Sequence, residues 1–164
     1  RHSCSMDFTI RNAQPGDGPV IASFNSAMAE ETEGKTLDPH LIGPGVDNLL
    51  NNPSRGRYWV AEADGDIIGQ LMVTYEWSDW RNGNVWWIQS VYIRPSWRRK
   101  GVFSALYRHV QSLASAEPGV IGLRLYVEEN NTRAQQTYEA LGMIKPNNLV
   151  MEAMLGATPD DAEK

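Results

Sequence analysis

One stretch limits the architecture more than any other: VWWIQSVYIRPSWRRKGVFSALYRHV, residues 85–110. Its first nine residues read as a strongly apolar strand, stopped by Pro95, which cannot donate to a ladder. Leu106, Val110 and Leu113 then recur at helical spacing, predicting a helix from about Ser104 to Ala116, and VIGLRLYVEE reads as another strand. Strand, helix and strand in succession predict a right-handed crossover with parallel strands around residues 86–127. Between the first strand and the helix stand Arg98, Arg99 and Lys100, followed by Gly101. The free N–H groups and macrodipole of a helix start are positive, so basic side chains there have locally the wrong sign. They make sense if an anion sits on the helix start with the cations closed around it, and glycine lets backbone approach that anion. The stretch contains neither G-x-x-x-x-G-K-[ST] nor G-x-G-x-x-G, which sets aside the two commonest nucleotide-phosphate loops.

The rest of the chain supplies a sheet for this unit. DFTIRNA alternates as a half-buried strand, and Val20, Ile21, Phe24, Ala27 and Met28 mark a first helix from Asp17 to about Glu31. Asp38-Pro39 opens a short second helix that GPG limits, with VDNLLNN as a further turn. RYWVAEADGDIIGQLMVTYEW reads as two strands joined at Asp64-Gly65, and Asn82-Gly83 marks the next hairpin. Thr132 to Leu141 is a helix with Gly142 at its end, and NNLVMEAML is expected as a last strand. The prediction is an α/β protein with a mixed sheet, antiparallel in its first half and flanked by helices.

Two segments resemble a known family. SVYIRPSWRRKGVFSALYRHV is similar to the acyl-CoA motif of the GCN5-related N-acetyltransferases, [Q/R]-x-x-G-x-[G/A], with Arg98 to Val102 in its first five positions and Phe103 where glycine or alanine is usual. NTRAQQTYEALGM resembles the second motif, N-x-x-A-x-x-x-Y-E-x-L-G-[F/M], through Asn131, Ala134, Tyr138, Glu139, Leu141 and Gly142. The likeness covers roughly residues 7–155 and points to an uncharacterised bacterial branch of the family. It implies a GNAT-like, mostly antiparallel twisted sheet whose β-α-β crossover carries the acyl-CoA site. The anion is then the pyrophosphate of acetyl-CoA, a cosubstrate. Arg98, Arg99, Lys100, Gly101, Val102, Phe103 and Ser104 face it, and the edge of Val91, Tyr92 and Ile93 pairs with the pantetheine arm, where strands four and five splay apart. On the same resemblance, Tyr138 is expected to protonate the leaving thiolate, and Asn131 to cap its helix and touch the cofactor. An N–H near Val91–Ile93 polarises the thioester.

Acetyl transfer to an amine also needs the amine neutral. Gln89 stands about where several relatives carry a glutamate and cannot accept a proton. Glu31, Glu33 and Glu76 are the catalytic candidates among the carboxylates, with Glu30, Asp79 or a water chain as other routes. The acceptor pocket is expected between the first two helices and the turn joining strands three and four. Glu31, Glu33, Trp77, Asp79, Trp80 and Trp86 there suit a cationic amine. Alternation lets at most one of Trp86 and Trp87 face it. The expected activity is N-acetyl transfer to a small primary amine. A peptide or protein acceptor, or a non-catalytic acyl-CoA-binding domain, are the alternatives.

Composition narrows the classes. At 164 residues the chain is expected to be one domain, residues 7–155, with flexible ends at 1–6 and 156–164. A net charge of −5 argues against a general nucleic-acid binder. The single cysteine, Cys4, excludes an internal disulfide, and His2, His40 and His109 lack ligand spacing, so no metal is expected. No apolar run reaches membrane-spanning length and no secretory signal is visible, so the cytoplasm is the simplest compartment and no membrane partner is expected. A homodimer is left open.

Overall fold

A computed structural model describes residues 7–156. The chain divides into two compact units, one ending at Tyr126 and the other beginning at Val127. The ends expected to be flexible, 1–6 and 156–164, lie outside the described residues except for Gly156.

The first unit contains, in chain order, β1 (Thr9–Asn12), α1 (Gly18–Glu33), α2 (Pro39–Leu50), β2 (Gly56–Ala63), β3 (Asp66–Ser78), β4 (Gly83–Ile93), α3 (Val102–Ala116) and β5 (Val120–Leu125). They build one sheet in the order β1-β2-β3-β4-β5. The first four strands are antiparallel and β5 runs parallel to β4, so the sheet is mixed, as the crossover pattern requires. The β2–β3 turn forms at Asp64-Gly65, both with positive φ (51° and 81°), the two-residue geometry this dipeptide favours.

Strand alternation sorts the core into two layers. Tyr58, Val60, Met72 and Tyr92 join Ile21 and Phe24 of α1 and Val46 of α2 in one apolar cluster. Trp59, Leu71 and Val73 alternate to the opposite face, joined by Trp86, which the β4 register shift pairs with Tyr75, and all four are at most 1% exposed. They lie on the side where α3 crosses β2, β3 and β4 and buries Val102, Leu106 and Val110.

Two local expectations are corrected. GPG does not limit the second helix: α2 runs through Gly43-Pro44-Gly45 to Leu50. Asp38 caps its start by accepting from the His40 N–H at 2.9 Å. Val46 is buried, with Ile42, Leu49 and Leu50 packed against the core, so burial outweighs the poor propensity of the GPG step. The last strand expected at NNLVMEAML does not form. Leu149-Val150-Met151 and Met154-Leu155 are contiguous rather than alternating, so neither face of a strand there is uniformly apolar. Leu149, Met151 and Leu155 stay over 90% exposed. The second unit holds α4 (Thr132–Ala140). Among the described residues no helix is long and apolar enough to cross a membrane.

Candidate functional site

The site begins with an irregularity in β4. Gln70 pairs with Tyr92 and Met72 with Gln89, so β4 takes three residue steps where β3 takes two. The extra residue bulges at Ser90, a non-glycine residue with φ 51°. The parallel pairing with β5 ends just before it, at Ile88 and Leu125. From Gln89 to Ile93, β4 therefore continues past the end of β5. The Arg94 N–H donates to the Ile68 carbonyl of β3 at 2.8 Å. Alternation then turns the Tyr92 amide toward β3 as well, and the Val91 and Ile93 amides to the opposite edge, where β5 has stopped. That edge can accept an extended ligand as an added strand. Of the three residues expected to pair with such a ligand, Val91 and Ile93 have their amides on that edge. Tyr92 is paired with Gln70 and its side chain is buried in the core.

The chain then turns through Pro95–Trp97 into a loop with two left-handed residues, Arg99 (φ 63°) and Gly101 (φ 83°). Gly101 is the N-cap of α3 and offers no side-chain acceptor, and the first bond of the helix runs from the Ala105 N–H to the Gly101 carbonyl at 3.0 Å. The amides of Val102, Phe103 and Ser104 thus form a first turn without a side-chain cap, positive at its open end. A Cβ on Gly101 meets nothing within 4 Å, so backbone angle rather than space demands glycine. Arg98 is fixed at three points. Its Nε donates to the Ile93 carbonyl at 2.9 Å, its Nη2 meets Glu31 Oε2 at 2.8 Å, and its guanidinium lies 5.3 Å from the Tyr92 ring. Lys100 sits over Trp97 at 5.4 Å. Arg99 and Lys100 are exposed.

The carboxylates separate. Glu31, at the end of α1, joins Arg98 and lies 3.4 Å from the Tyr92 hydroxyl. Glu33, two residues further at the end of α1, pairs with Lys35 at 3.7 Å. Glu76 lies toward the far end of β3, accepting from Trp87 Nε1 at 2.8 Å and from Arg124 at 2.7 Å. The Trp87 hydrogen bond first, and then Arg124, hold its carboxyl below the usual range, which makes it a weak base and a persistent anion.

Around Glu76 the sheet presents a polar and aromatic surface that the sequence reading did not assemble. Gln89 Nε2 donates to Thr74 Oγ1 at 2.6 Å, and the Trp87 and Tyr126 rings lie 4.6 Å apart. Trp86, expected among the pocket residues, is instead a core residue, 1% exposed and 6.1 Å from Trp59. Trp87 is the one of the pair on the accessible face, because alternation puts it with Gln89 and opposite Trp86. Trp77 and Trp80 are exposed at 59% and 96%.

In the second unit, Asn131 Oδ1 accepts from the Ala134 N–H at 3.1 Å, so it caps α4. Gly142 (φ 96°) follows the helix, and the Met143 N–H closes on the Tyr138 carbonyl at 3.0 Å. Tyr138 itself is half-buried, and burial raises its hydroxyl pKa. Among the described residues no group of three or more His, Cys, Asp and Glu could hold a metal ion.

Residues 24–143 match the model of the acetyltransferase (GNAT) family. A possible acetyltransferase from Clostridium difficile 630 is 42% identical, its crystal structure superposing with a TM-score of 0.85 over 90% of this chain and 97% of that one. A predicted acetyltransferase from Clostridium acetobutylicum, crystallised with acetyl-CoA, shares the fold at 17% identity and a TM-score of 0.75, over 92% of this chain and 99% of that one. Bovine thialysine N-epsilon-acetyltransferase is 30% identical over 76 residues, 46% of this chain. That match spans 44% of the bovine protein, less than half its length.

Proposed function

This chain belongs to the acetyltransferase (GNAT) family, and on that premise we propose that it moves an acetyl group from acetyl-CoA directly to the primary amine of a small cationic acceptor. The observation that carries the reading is the junction of two features. The β4 edge at Val91 and Ile93 has lost its β5 neighbour, and the α3 start beyond it is uncapped and basic. The first suits an extended pantetheine arm, the second a pyrophosphate. Acetyl-CoA supplies the activated acetyl group. The amides of Val102, Phe103 and Ser104 with Arg99 and Lys100 hold the phosphates. The Val91 N–H donates to the acetyl carbonyl oxygen as charge develops there.

In the transfer a C–N bond forms and the thioester C–S bond breaks; the amine gives up a proton to a water chain leading to solvent, and the departing sulfur takes one. Tyr138, matching the family's tyrosine, supplies the proton to sulfur, and burial keeps its hydroxyl protonated at neutral pH. Glu76 serves as an anchor for the cationic acceptor beside the Trp87 and Tyr126 rings rather than as the base. The thialysine N-epsilon-acetyltransferase likeness supports an amine acceptor of this kind. The test is thiol release from acetyl-CoA across polyamines, amino acids, aminoglycosides and short peptides, beside calorimetry of acetyl-CoA binding. Turnover with small cationic amines, weakened in Glu76→Gln through KM, is expected. Turnover confined to peptides, or binding without thiol release on any acceptor, overturns the reading.

A further inference from the structure

Gln70 is fully buried at the centre of β3, in a position where an apolar side chain would serve the core better. Its Nε2 donates twice, to the Ser90 carbonyl and to Asn25 Oδ1, both at 3.0 Å. A backbone carbonyl can only accept, which fixes the end of the amide that faces it. Asn25, also buried, donates from Nδ2 to the Tyr58 hydroxyl at 3.2 Å, and the Ser90 side chain bonds that hydroxyl as well. Gln70 Oε1 is buried and accepts no hydrogen bond. A buried amide with an unmatched acceptor costs stability, so a packing role does not account for it.

The Ser90 carbonyl belongs to the same peptide group as the Val91 N–H. No peptide bond among the described residues is cis, and across a trans peptide the C=O and the next N–H point in opposite directions. Gln70 pulls the Ser90 oxygen toward β3 and α1. It thereby turns the Val91 N–H outward, to the edge that β5 has left. The peptide would not hold this orientation unaided, because Ser90 is in the left-handed region that favours glycine.

We propose that Gln70, backed by Asn25, is a positioning residue that locks the Ser90–Val91 peptide of the β4 bulge, so that the Val91 N–H is preset to polarise the acetyl carbonyl. The inference rests on the acetyl-CoA reading above. Preorganisation of a single donor matters because an N–H already aimed requires no reorganisation as charge develops.

The experiment is infrared difference spectroscopy of acetyl-CoA labelled with carbon-13 at the acetyl carbonyl, bound to wild type and to Gln70→Met, with calorimetry and steady-state kinetics beside it. Gln70→Met keeps length and removes both donors. In wild type the bound carbonyl band moves to lower frequency than in free acetyl-CoA. In the variant it returns toward the free position. Acetyl-CoA affinity stays within a few-fold, and kcat falls by at least about tenfold. Gln70→Glu gives a second measurement should the methionine variant fail to fold. Its neutral carboxylic acid can donate to the Ser90 carbonyl and its carboxylate cannot, and burial raises its pKa. The nearest titratable group in the network is the Tyr58 hydroxyl of β2, bonded to Asn25; Tyr92, paired with Gln70 across the strands, sends its hydroxyl to Glu31 of α1, whose charge Arg98 balances. The shifted band and kcat should recover, relative to wild type, as pH is lowered. An unshifted band in wild type, or the same shifted band in Gln70→Met or across pH in Gln70→Glu, overturns the role of Gln70 and leaves acetyl-CoA binding standing. Failure of wild type to bind acetyl-CoA overturns both.

Discussion

Arg98 and Glu31 meet at 2.8 Å, so a cation of the helix-start loop is held by a carboxylate of α1. Sequence alone groups Glu31 with the expected acceptor pocket; the ion pair ties it instead to the loop proposed to hold the phosphates of acetyl-CoA. Glu31→Gln removes a negative charge from beside the phosphate loop, while Arg98 keeps its bond to the Ile93 carbonyl and its place over Tyr92. Acetyl-CoA binding is therefore expected to tighten by about two- to fivefold at low salt, the range of an exposed ion pair, and to converge with wild type as salt is raised. Calorimetry at two ionic strengths checks this, and weaker binding in the variant would contradict it.

Gly101 separates backbone strain from charge. Its Cβ direction is open but its φ is 83°. Gly101→Ala should cost about 1–2 kcal/mol of stability, the penalty of a left-handed side-chain-bearing residue, with acetyl-CoA affinity moderately reduced. Gly101→Asp adds the same strain and a negative charge against the phosphates, so its affinity loss should exceed that of alanine and shrink with salt. Thermal melts and titrations of both variants give the two numbers; equal affinities for aspartate and alanine would remove the phosphates from this loop.

The mixed sheet and the β4–α3–β5 crossover were legible because their signals are local: Pro95 ends a strand, Asp64-Gly65 forces a hairpin, and Leu106, Val110 and Leu113 set a helix face. The bulge at Ser90 was not, because a left-handed serine within SVYI carries no sequence mark and shows only as a register shift against β3. The surface of Thr74, Glu76, Trp87, Gln89 and Arg124 was within reach. Alternation along β3 and β4 places these residues on one face, but the partner strand that brings Arg124 to Glu76 is set by the crossover. The continuation of α2 through Pro44 depended on tertiary burial, which weighs little in local pattern; the lack of a strand at 147–155 was within reach, because its apolar residues are contiguous rather than alternating.

Acid stability should depend on Asp17. Arg11 bonds both of its carboxylate oxygens, at 2.8 and 3.0 Å, and this holds its pKa below the ordinary value. A depressed folded-state pKa contributes stability that is complete above the unfolded value, about 3.9, and is lost as pH falls through that value toward the folded one. Asp17→Asn is expected to lower stability at neutral pH by about 1 kcal/mol, given the partial exposure of Arg11. Its Tm should converge with that of wild type at the acid end of a series from pH 6 to pH 2.5. A constant gap across that range would mean that Asp17 contributes through neutral hydrogen bonding, such as to the Gln14 N–H at 2.7 Å, and packing rather than through its charge.

Tyr138 decides between a catalyst and a binder. A free thiol has a pKa of about 8.5 and a tyrosine about 10. Burial raises Tyr138 further, which keeps its proton in place through neutral pH but weakens it as an acid. A thiolate leaving into a dry site is raised by the same desolvation, so the two stay matched closely enough for transfer. Tyr138→Phe keeps the ring and removes only the hydroxyl. It should lower kcat by at least about tenfold, within the roughly 10²–10⁴-fold that general acid help supplies, with acetyl-CoA affinity within a few-fold of wild type. Stopped-flow thiol release beside a binding titration separates the two quantities. An unchanged kcat would make Tyr138 a packing residue of α4, with water protonating the thiolate. A large loss of affinity at constant kcat would make its hydroxyl a ligand of the cosubstrate.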